Sequence, residues 1–386
     1  MSPKFDVLIV GGGVVGLTAA LAMAQRNYNV AVIDAGSLKV NTSIADLRVY
    51  AINKASQILL SKLNAWQHLD FNRVSPYTKM HVWDGANGAY IDFDSRAIAS
   101  PNLGTILEES ILKQALLQQI LMESKISLFP DCTIDAVCSS DHEVLINSDN
   151  RTWEGKLLMI ADGAHSPTRQ KLNVEVTTWS YNQHALVATV KTEKPHQKTA
   201  YQVFNADGPL AFLPLPDPNQ CSIVWSTDPK RVQHLMGLSE DQFNQELTRA
   251  FGKCLGEAAL MSPRHQFPLQ MRHVKQYTGN RWLLMGDAAH TIHPLAGLGL
   301  NVGLADLDSW LQCMDASNGL LMSRKILNTY QRQRKYAVWQ TIALMEGFKH
   351  LFGYSNTPVS AIRGLGLRLC NELTPLKRLF IQHAAG

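Results

Sequence analysis

Apolar residues at the start of the chain fall into short runs, and each run ends at a glycine or an acid. Phe5 to Val10 is such a run, and its length and β-branched residues are typical of a buried parallel strand. The glycine-rich segment Gly11 to Gly16 follows at once, then a helix-compatible stretch from Leu17 to Gln25 and a second apolar run from Asn29 to Asp34. This order predicts the βαβ unit that binds dinucleotides.

The glycines and the closing acid of this unit have distinct predicted roles. Gly11 allows the tight turn, Gly13 lets the backbone approach a pyrophosphate, and Gly16 lets the helix pack closely on the strand. Asp34 closes the second strand, where its carboxylate can accept hydrogen bonds from ribose hydroxyls. The unit alone does not distinguish NAD from FAD.

Two later strands end in a carboxylate beside a glycine. Leu157 to Ala161 ends at Asp162-Gly163, and Trp282 to Met285 ends at Gly286-Asp287, with a helix predicted from about Asn301. A carboxylate at a strand tip can accept bonds from sugar hydroxyls, and the bare N–H groups of a helix start can stabilise an anion. We expect these tips to share one binding edge, although an interpretation of Asp162 as a simple cap stays open.

The middle of the chain shows strand patterns with no helix between the strands. Asp-Gly and Pro-Asp-Pro turns separate four predicted strands, which are Ala185 to Lys191, Thr199 to Phe204, Leu210 to Leu215 and Cys221 to Ser226. Shorter alternating patches between residues 76 and 96 indicate further strands of a second sheet. This pattern predicts an antiparallel meander with one covered face.

These patterns predict an α/β protein with a Rossmann-like nucleotide-binding domain, an inserted antiparallel β-sheet substrate domain and C-terminal helices. A long helix-compatible stretch from Ser323 to Phe352 begins the last region. The predicted boundaries are 1–75, 100–175 and 270–320 for the discontinuous nucleotide-binding domain, 76–99 and 176–269 for the substrate domain, and 321–386 for the C-terminal helical region.

Composition and charge exclude several classes of function. The 386 residues carry a formal charge of only +4 and no arginine-rich run, which argues against nucleic acid as a partner. The six cysteines have no close pairs, so we expect reduced thiols and no metal site. We expect no signal peptide, because the first apolar run is too short, and no apolar stretch reaches transmembrane length. The predicted location is cytoplasmic, with a peripheral position on the inner membrane as the alternative.

Several motifs together resemble one enzyme family. They are the Gly-Asp segment 286–297, the segments 208–216 and 222–227, and the terminal segment 375–381. With the first glycine motif and Asp162-Gly163, they resemble the group A flavin-dependent aromatic hydroxylases of the para-hydroxybenzoate hydroxylase fold, and within them the ubiquinone-biosynthesis hydroxylase family. The resemblance runs from about residue 4 to the C-terminus, and it makes the Rossmann-like domain an FAD-binding domain.

The resemblance implies a function. It implies an FAD-dependent monooxygenase that takes electrons from transiently bound NAD(P)H, reacts with O2 through a flavin C4a-hydroperoxide, and hydroxylates the ring of a polyprenylated phenol. Two alternatives stay open: a flavin hydroxylase of a small aromatic acid or phenol in catabolism, and a non-catalytic FAD- or prenyl-binding scaffold subunit. A ubiquinone-biosynthesis complex, a membrane surface at residues 376–381 and a homo-oligomer are the further partners that it allows.

The resemblance also implies site residues. Two departures from the family pattern are Asp34, where most members carry Glu, and Leu298, where Gln or His is common. Cofactor-binding positions are Gly11, Gly13, Val15, Gly16, Asp34, Arg48, Asp162, Gly163, Asp287, Pro294, Gly299, Leu300 and Asn301. Catalytic candidates are Arg48, His293 and Pro294, and candidate substrate walls are Phe212, Pro214 and Trp225, for which plain core positions are the alternative.

Overall fold

The computed structural model describes residues 4–148, 151–292, 299–317 and 323–353. Its helices are α1 (Val14–Gln25), α2 (Lys54–Lys62), α3 (Glu109–Ile120), α4 (Pro167–Lys171), α5 (Pro229–Gly237), α6 (Glu240–Ala250), α7 (Gly299–Asp315) and α8 (Arg324–Gly353). Its first ten strands are β1 (Lys4–Val10), β2 (Val30–Ile33), β3 (Val49–Ile52), β4 (Ser75–Tyr77), β5 (Lys79–Asp84), β6 (Tyr90–Asp94), β7 (Gly104–Glu108), β8 (Ile126–Phe129), β9 (Ala136–Ser139) and β10 (Val144–Ser148). The later strands are β11 (Arg151–Ile160), β12 (Val176–Thr192), β13 (Thr199–Asn205), β14 (Gly208–Pro214), β15 (Gln220–Thr227), β16 (Ala258–Leu260), β17 (His265–Val274), β18 (Thr278–Gly279), β19 (Trp282–Leu284) and β20 (His290–Thr291).

A twisted sheet with a parallel centre carries the three glycine-containing strand tips. Its central order is β19-β11-β1-β2-β8, and all four of these pairings are parallel. The strands are buried, because α1, α3 and α7 contribute apolar side chains to the same core as β1, β2 and β11. The predicted α/β fold with a Rossmann-like domain is confirmed.

The second sheet is mostly antiparallel and runs β20-β17-β12-β15-β14-β13-β5-β6, with β16 beside β12. The predicted meander holds for β13, β14 and β15, whereas β12 pairs with β15 and β17 rather than with β13. The pairing of β13 with β5 is parallel. Strands β17 and β20 also carry this sheet beyond residue 270, so the partition into domains stays a prediction.

Helices α5 and α6 cover one face of the second sheet. The α6 helix begins at a capping box, in which the Ser239 hydroxyl accepts from the Gln242 N–H and the Gln242 side chain accepts from the Ser239 N–H. Its buried Phe243 and Leu247 join the core under the sheet. A small third sheet, β3-β7-β4, lies apart from both large sheets in hydrogen bonding and contributes Ala51 and Ile106 to a separate apolar cluster. Within the described ranges, no helix is both long and apolar enough to cross a bilayer.

Candidate active site

Three loops meet at the carboxyl edge of the parallel strands, because β1, β11 and β19 run side by side in the same direction. They are the glycine turn after β1, the Asp162-Gly163 tip after β11 and the Gly286-Asp287 tip after β19. Ligands of open parallel sheets bind at such an edge. The predicted convergence of the three motifs is thus what the sheet order produces.

The glycines of the first turn differ in what surrounds them. Gly11 has φ +111°, and a Cβ there would lie 2.3 Å from the Ala161 carbonyl oxygen. A Cβ on Gly16 would lie 1.9 Å from the Gly11 carbonyl oxygen, so only glycine lets α1 start against the strand. Gly13, in contrast, has nothing within 4 Å of a Cβ. Two of the glycines are needed by the fold, and Gly13 faces open space at the start of α1.

Asp34 holds the glycine turn in place. Its carboxylate accepts hydrogen bonds from the backbone N–H of Gly12 and, at 2.7 Å, of Gly36. Each carboxylate oxygen can accept a second bond, so a contact with ribose hydroxyls is sterically and chemically open and stays a prediction. The short Asp side chain suits the turn itself.

The Asp162-Gly163 tip combines a cap with an unpaired atom. Asp162 Oδ2 accepts from the Thr168 N–H at 3.1 Å, so the capping interpretation describes one of its two oxygens. Asp162 Oδ1 is buried and has no partner among the described residues. Gly163 has φ +85°, and a Cβ there would meet nothing within 4 Å. The tip therefore leaves an acceptor and open space beside the glycine turn.

Asp287 stands at the third tip with a cation nearby. Its side chain is half-buried, and burial raises its pKa above the ordinary value, while the positive charges of Arg48 and His290 act in the opposite direction. The Arg48 guanidinium lies 3.5 Å from Glu109 and 5.1 Å from the centre of the Tyr50 ring. Its side chain is 65% exposed, so Arg48 is available to a ligand that also meets Asp287.

The α7 helix begins at Gly299, two residues before the position predicted from the sequence. The buried Asn301 side chain donates to the Ala51 carbonyl oxygen at 2.7 Å and accepts from the Asn53 N–H at 3.0 Å. These bonds fix the first turn of α7 against β3 and α2. The backbone N–H groups of Gly299, Leu300 and Asn301 have no intrahelical acceptors, because they belong to the first helical turn.

Comparison with known proteins decides the family. The family model described as "FAD binding domain" matches residues 4–344. The 3-demethoxyubiquinol 3-hydroxylase of Escherichia coli is 34% identical over 99% of this chain and 98% of that protein. The ubiquinone biosynthesis monooxygenase COQ6 of Homo sapiens is 30% identical over 99% of this chain and 92% of that protein. The chain belongs to the FAD-dependent hydroxylases of ubiquinone biosynthesis.

The solved structures agree on the fold of this FAD-dependent hydroxylase. The p-nitrophenol 4-monooxygenase PnpA from Pseudomonas putida superposes with a TM-score of 0.79 at 16% identity, over 99% of this chain and 98% of that chain. PqsL of Pseudomonas aeruginosa, in complex with 2-aminobenzoylacetate, gives 0.78 at 19% identity, over 95% of this chain and 100% of that chain. The predicted family, cofactor and enzyme class are confirmed.

The residues at the three tips fit FAD. Open space at Gly13 and Gly163 leaves room for a pyrophosphate, and the unpaired Asp162 Oδ1 is an acceptor that a bound ligand can satisfy. The contacts of every predicted cofactor position with FAD stay predictions, which includes Gly11, Gly13, Val15, Gly16, Asp34, Arg48, Asp162, Gly163, Asp287, Gly299, Leu300 and Asn301. His293, Pro294 and Leu298 lie outside the described residues, so the structure says nothing of those three positions.

The three predicted substrate walls are core residues, and the structure corrects them. The side chains of Phe212 and Trp225 are fully buried in the cluster beneath α5 and α6, and the Phe212 ring stacks on Phe251 with centroids 3.6 Å apart. Pro214 is buried and follows Phe212 by two residues on β14. Because side chains alternate along a strand, these positions face the helices.

The opposite face of β14 and β15 packs against the small sheet β3-β7-β4. Leu213, Leu215 and Val224 pack near Ala51 and Ile106 of the small sheet. When a strand is buried on both faces, nearly all its positions are apolar. Its sequence then does not show which side chains face the helices and which face the other packed layer. The sequence therefore did not show that Phe212 and Trp225 lie on the face covered by α5 and α6.

A buried charge cluster was also missed. Asp306 on α7 and Arg334 on α8 are almost completely buried, and His290 is paired with Asp306 at 2.7 Å. The only signal in the sequence is an acid inside the apolar face of α7, between Leu304 and Leu307. Such an acid is a surface residue in most helices.

Proposed function

We propose that this enzyme hydroxylates the aromatic ring of a polyprenylated phenol in ubiquinone biosynthesis. The observation that carries the proposal is the similarity to ubiquinone hydroxylases along 99% of the chain, together with the open, glycine-lined edge of the parallel sheet. The overall reaction consumes the phenol, O2, NAD(P)H and a proton, and it yields the hydroxylated ring, water and NAD(P)+.

The chain's own residues supply binding and electrostatics. FAD, when bound, supplies hydride acceptance and oxygen activation. Gly13 and Gly163 leave room for its pyrophosphate, and the Asp287 carboxylate would accept hydrogen bonds from sugar hydroxyls. The first turn of α7 offers N–H groups and the positive end of the helix dipole to an anionic ring. The positive charge of Arg48 acts to lower the pKa of Asp287, against the effect of burial.

The substrate ring is best accommodated on the face of the second sheet that carries Leu213, Leu215 and Val224. Apolar walls exclude water, and a dry site prevents wasteful release of peroxide. Two parts of the chain meet here, because the small sheet contributes Ala51 and Ile106. His293 and Pro294 are further candidates on the loop before α7.

A pair of substitutions on β14 and β15 distinguishes side chains that contact the substrate from side chains that only pack in the core. Phe212→Leu is expected to lower the free energy of unfolding by about 0.5–3 kcal/mol and to leave KM for the phenol unchanged, because the ring lies beneath α5 and α6. Val224→Ala is expected to raise KM with a smaller loss of stability. Thermal unfolding and steady-state kinetics measure both. A raised KM in Phe212→Leu with unchanged unfolding would restore Phe212 as a substrate wall.

The enzyme is expected to work at a membrane surface, since a polyprenyl chain is confined to the lipid bilayer. Residues 376–381, which are apolar and basic, are a candidate contact with anionic lipid or with another protein of the pathway. The human relative is a mitochondrial ubiquinone biosynthesis monooxygenase by name. Which partner this chain uses is a separate question from its reaction.

Deletion of the encoding gene in the source organism tests the proposal. The deletion strain is expected to lose ubiquinone and to accumulate a polyprenylated phenol that lacks one ring oxygen, measured by mass spectrometry of extracted lipids. The wild-type gene should restore ubiquinone, and a gene carrying Gly13→Ala should restore less. A deletion strain with normal ubiquinone but impaired growth on a small aromatic acid would favour the catabolic alternative.

A further inference from the structure

A charge cluster lies beneath the Gly286-Asp287 tip. Asp306 is fully buried and accepts three hydrogen bonds, from the Gly286 N–H at 2.8 Å, from His290 Nε2 at 2.7 Å and from Arg334 Nε at 2.5 Å. The three donors belong to the tip after β19, to β20 and to α8. One carboxylate on α7 thus joins four separate segments of the chain.

The carboxylate is held in its ionised form. Burial acts to raise the pKa of Asp306, but the charges of His290 and Arg334 and the hydrogen bonds lower it below the ordinary value. A carboxylate can only accept, so His290 Nε2 must carry the proton that it shares. Arg334 also donates to the Val302 carbonyl oxygen at 3.2 Å, which ties α8 directly to the first turns of α7.

Close packing makes the tip depend on this cluster. Gly286 has φ +60°, and a Cβ on Gly303 would lie 3.1 Å from the Gly286 Cα and 3.0 Å from Val15 Cγ2. The Gly286-Asp287 tip therefore packs between α1 and α7, and the Gly286 N–H donates a hydrogen bond to the Asp306 carboxylate. Asp287, the next residue, can shift only if this packing or this hydrogen bond is lost.

We propose that Asp306 is a positioning residue for the flavin site: its carboxylate, neutralised by Arg334, holds the Gly286-Asp287 tip and the start of α7 in the arrangement that binds FAD and stabilises its reduced form. The α8 helix, which follows the FAD-binding domain in sequence, is then part of the site's support. This role of Asp306 rests on the proposed function only because it requires that FAD binds at this site. It does not depend on the identity of the phenol.

The test uses the full-length enzyme and free FAD. Asp306→Asn keeps an acceptor for the Gly286 N–H but leaves Arg334 without a counter-charge. It is expected to raise the Kd for FAD by about tenfold or more, measured by quenching of flavin fluorescence on titration of apo-protein. The matched control is Asp308→Asn, which removes the same charge from an exposed position on the same helix and should leave the Kd unchanged.

The reduction potential of the bound flavin separates positioning from mere structural support. A displaced α7 stabilises the reduced anion less, so the midpoint potential of FAD-saturated Asp306→Asn should fall. Simple removal of a negative charge would raise the potential, and a purely structural role would leave it unchanged. Either of those two results overturns the proposal, whatever happens to affinity.

Variants of the partner complete the test. Arg334→Gln is expected to weaken FAD binding, Arg334→Lys to recover part of the loss, and the exposed Arg332→Gln to have no effect. The double variant Asp306→Asn with Arg334→Gln should lose less than the product of the two single losses, because it leaves no unpaired buried charge. If Asp306→Asn does not fold, the Arg334 series alone decides, and equal binding by Arg334→Gln and Arg332→Gln contradicts the proposal.

Discussion

Gly13→Ala is expected to weaken FAD binding by about five- to 150-fold, because a Cβ placed in the pyrophosphate space costs about 1–3 kcal/mol. The same substitution should leave the thermal unfolding of the apo-protein nearly unchanged. Gly13 has φ −78°, which alanine adopts readily, and a Cβ there meets no atom of the described residues within 4 Å. Titration of the apo-protein with FAD, together with calorimetry, measures both quantities.

Gly11→Ala is the matched contrast in the same turn. Its Cβ would collide with the Ala161 carbonyl, and φ +111° is unfavourable for alanine, so we expect loss of folded protein rather than a selective loss of FAD. Equal effects of the two substitutions on folding, or tight FAD binding by Gly13→Ala, would contradict the assignment of Gly13 as the pyrophosphate position.

Asp287→Asn is expected to stabilise the apo-protein at neutral pH and to weaken FAD binding by about ten- to 150-fold. The loss of affinity corresponds to about 1.5–3 kcal/mol for a hydrogen bond to a charged group. The gain in stability follows from burial, which raises the pKa of Asp287. A residue that costs stability in the free enzyme is typical of a binding site.

The pH dependence of stability gives the sign of this effect. Because the folded-state pKa of Asp287 is raised, the folded protein binds the proton more tightly than the unfolded chain, and stability falls as pH rises through the folded-state pKa. The difference in the free energy of unfolding between Asp287→Asn and wild type should therefore be present at neutral pH and disappear below about pH 3.9, the ordinary value for Asp. Urea unfolding of both apo-proteins over this pH range measures it.

A charge change at an exposed position provides the comparison. Asp308→Asn removes the same charge from the surface of α7, and it should show neither the pH-dependent gain nor the loss of FAD affinity. If Asp287→Asn is less stable than wild type at neutral pH, the carboxylate stabilises the folded protein. The prediction that Asp287 costs stability in the free enzyme would then be wrong.

Local signals in the sequence were sufficient for the cofactor edge. The glycine turn, the acid that closes β2 and the two later carboxylate-glycine tips each depend on residues close together in the chain. Parallel pairing then brings the tips to one edge without further information. This is why the Rossmann-like domain and the convergence of the three strand tips could be predicted with no structure.

Contacts between segments that are far apart in the sequence could not be predicted from local signals. Phe212 and Leu213 are adjacent and both buried, and only the structure shows that Phe212 stacks on Phe251 while Leu213 faces Ala51. Asp306 looks like a surface acid until Arg334, 28 residues later, is seen beside it. The pairing of β12 with β15 likewise depends on which segments close around a common core.

The central claim is that this chain uses FAD to place one oxygen atom from O2 on the ring of a prenylated phenol. Purified enzyme loaded with FAD should be mixed with NAD(P)H and a short-chain prenylated phenol under oxygen gas labelled with the heavy isotope, and the product analysed by mass spectrometry. The account predicts a hydroxylated product that carries the label, in proportion to the NAD(P)H oxidised. Oxidation of NAD(P)H that yields only peroxide with every prenylated phenol tried, or a product whose new oxygen comes from water, would contradict it.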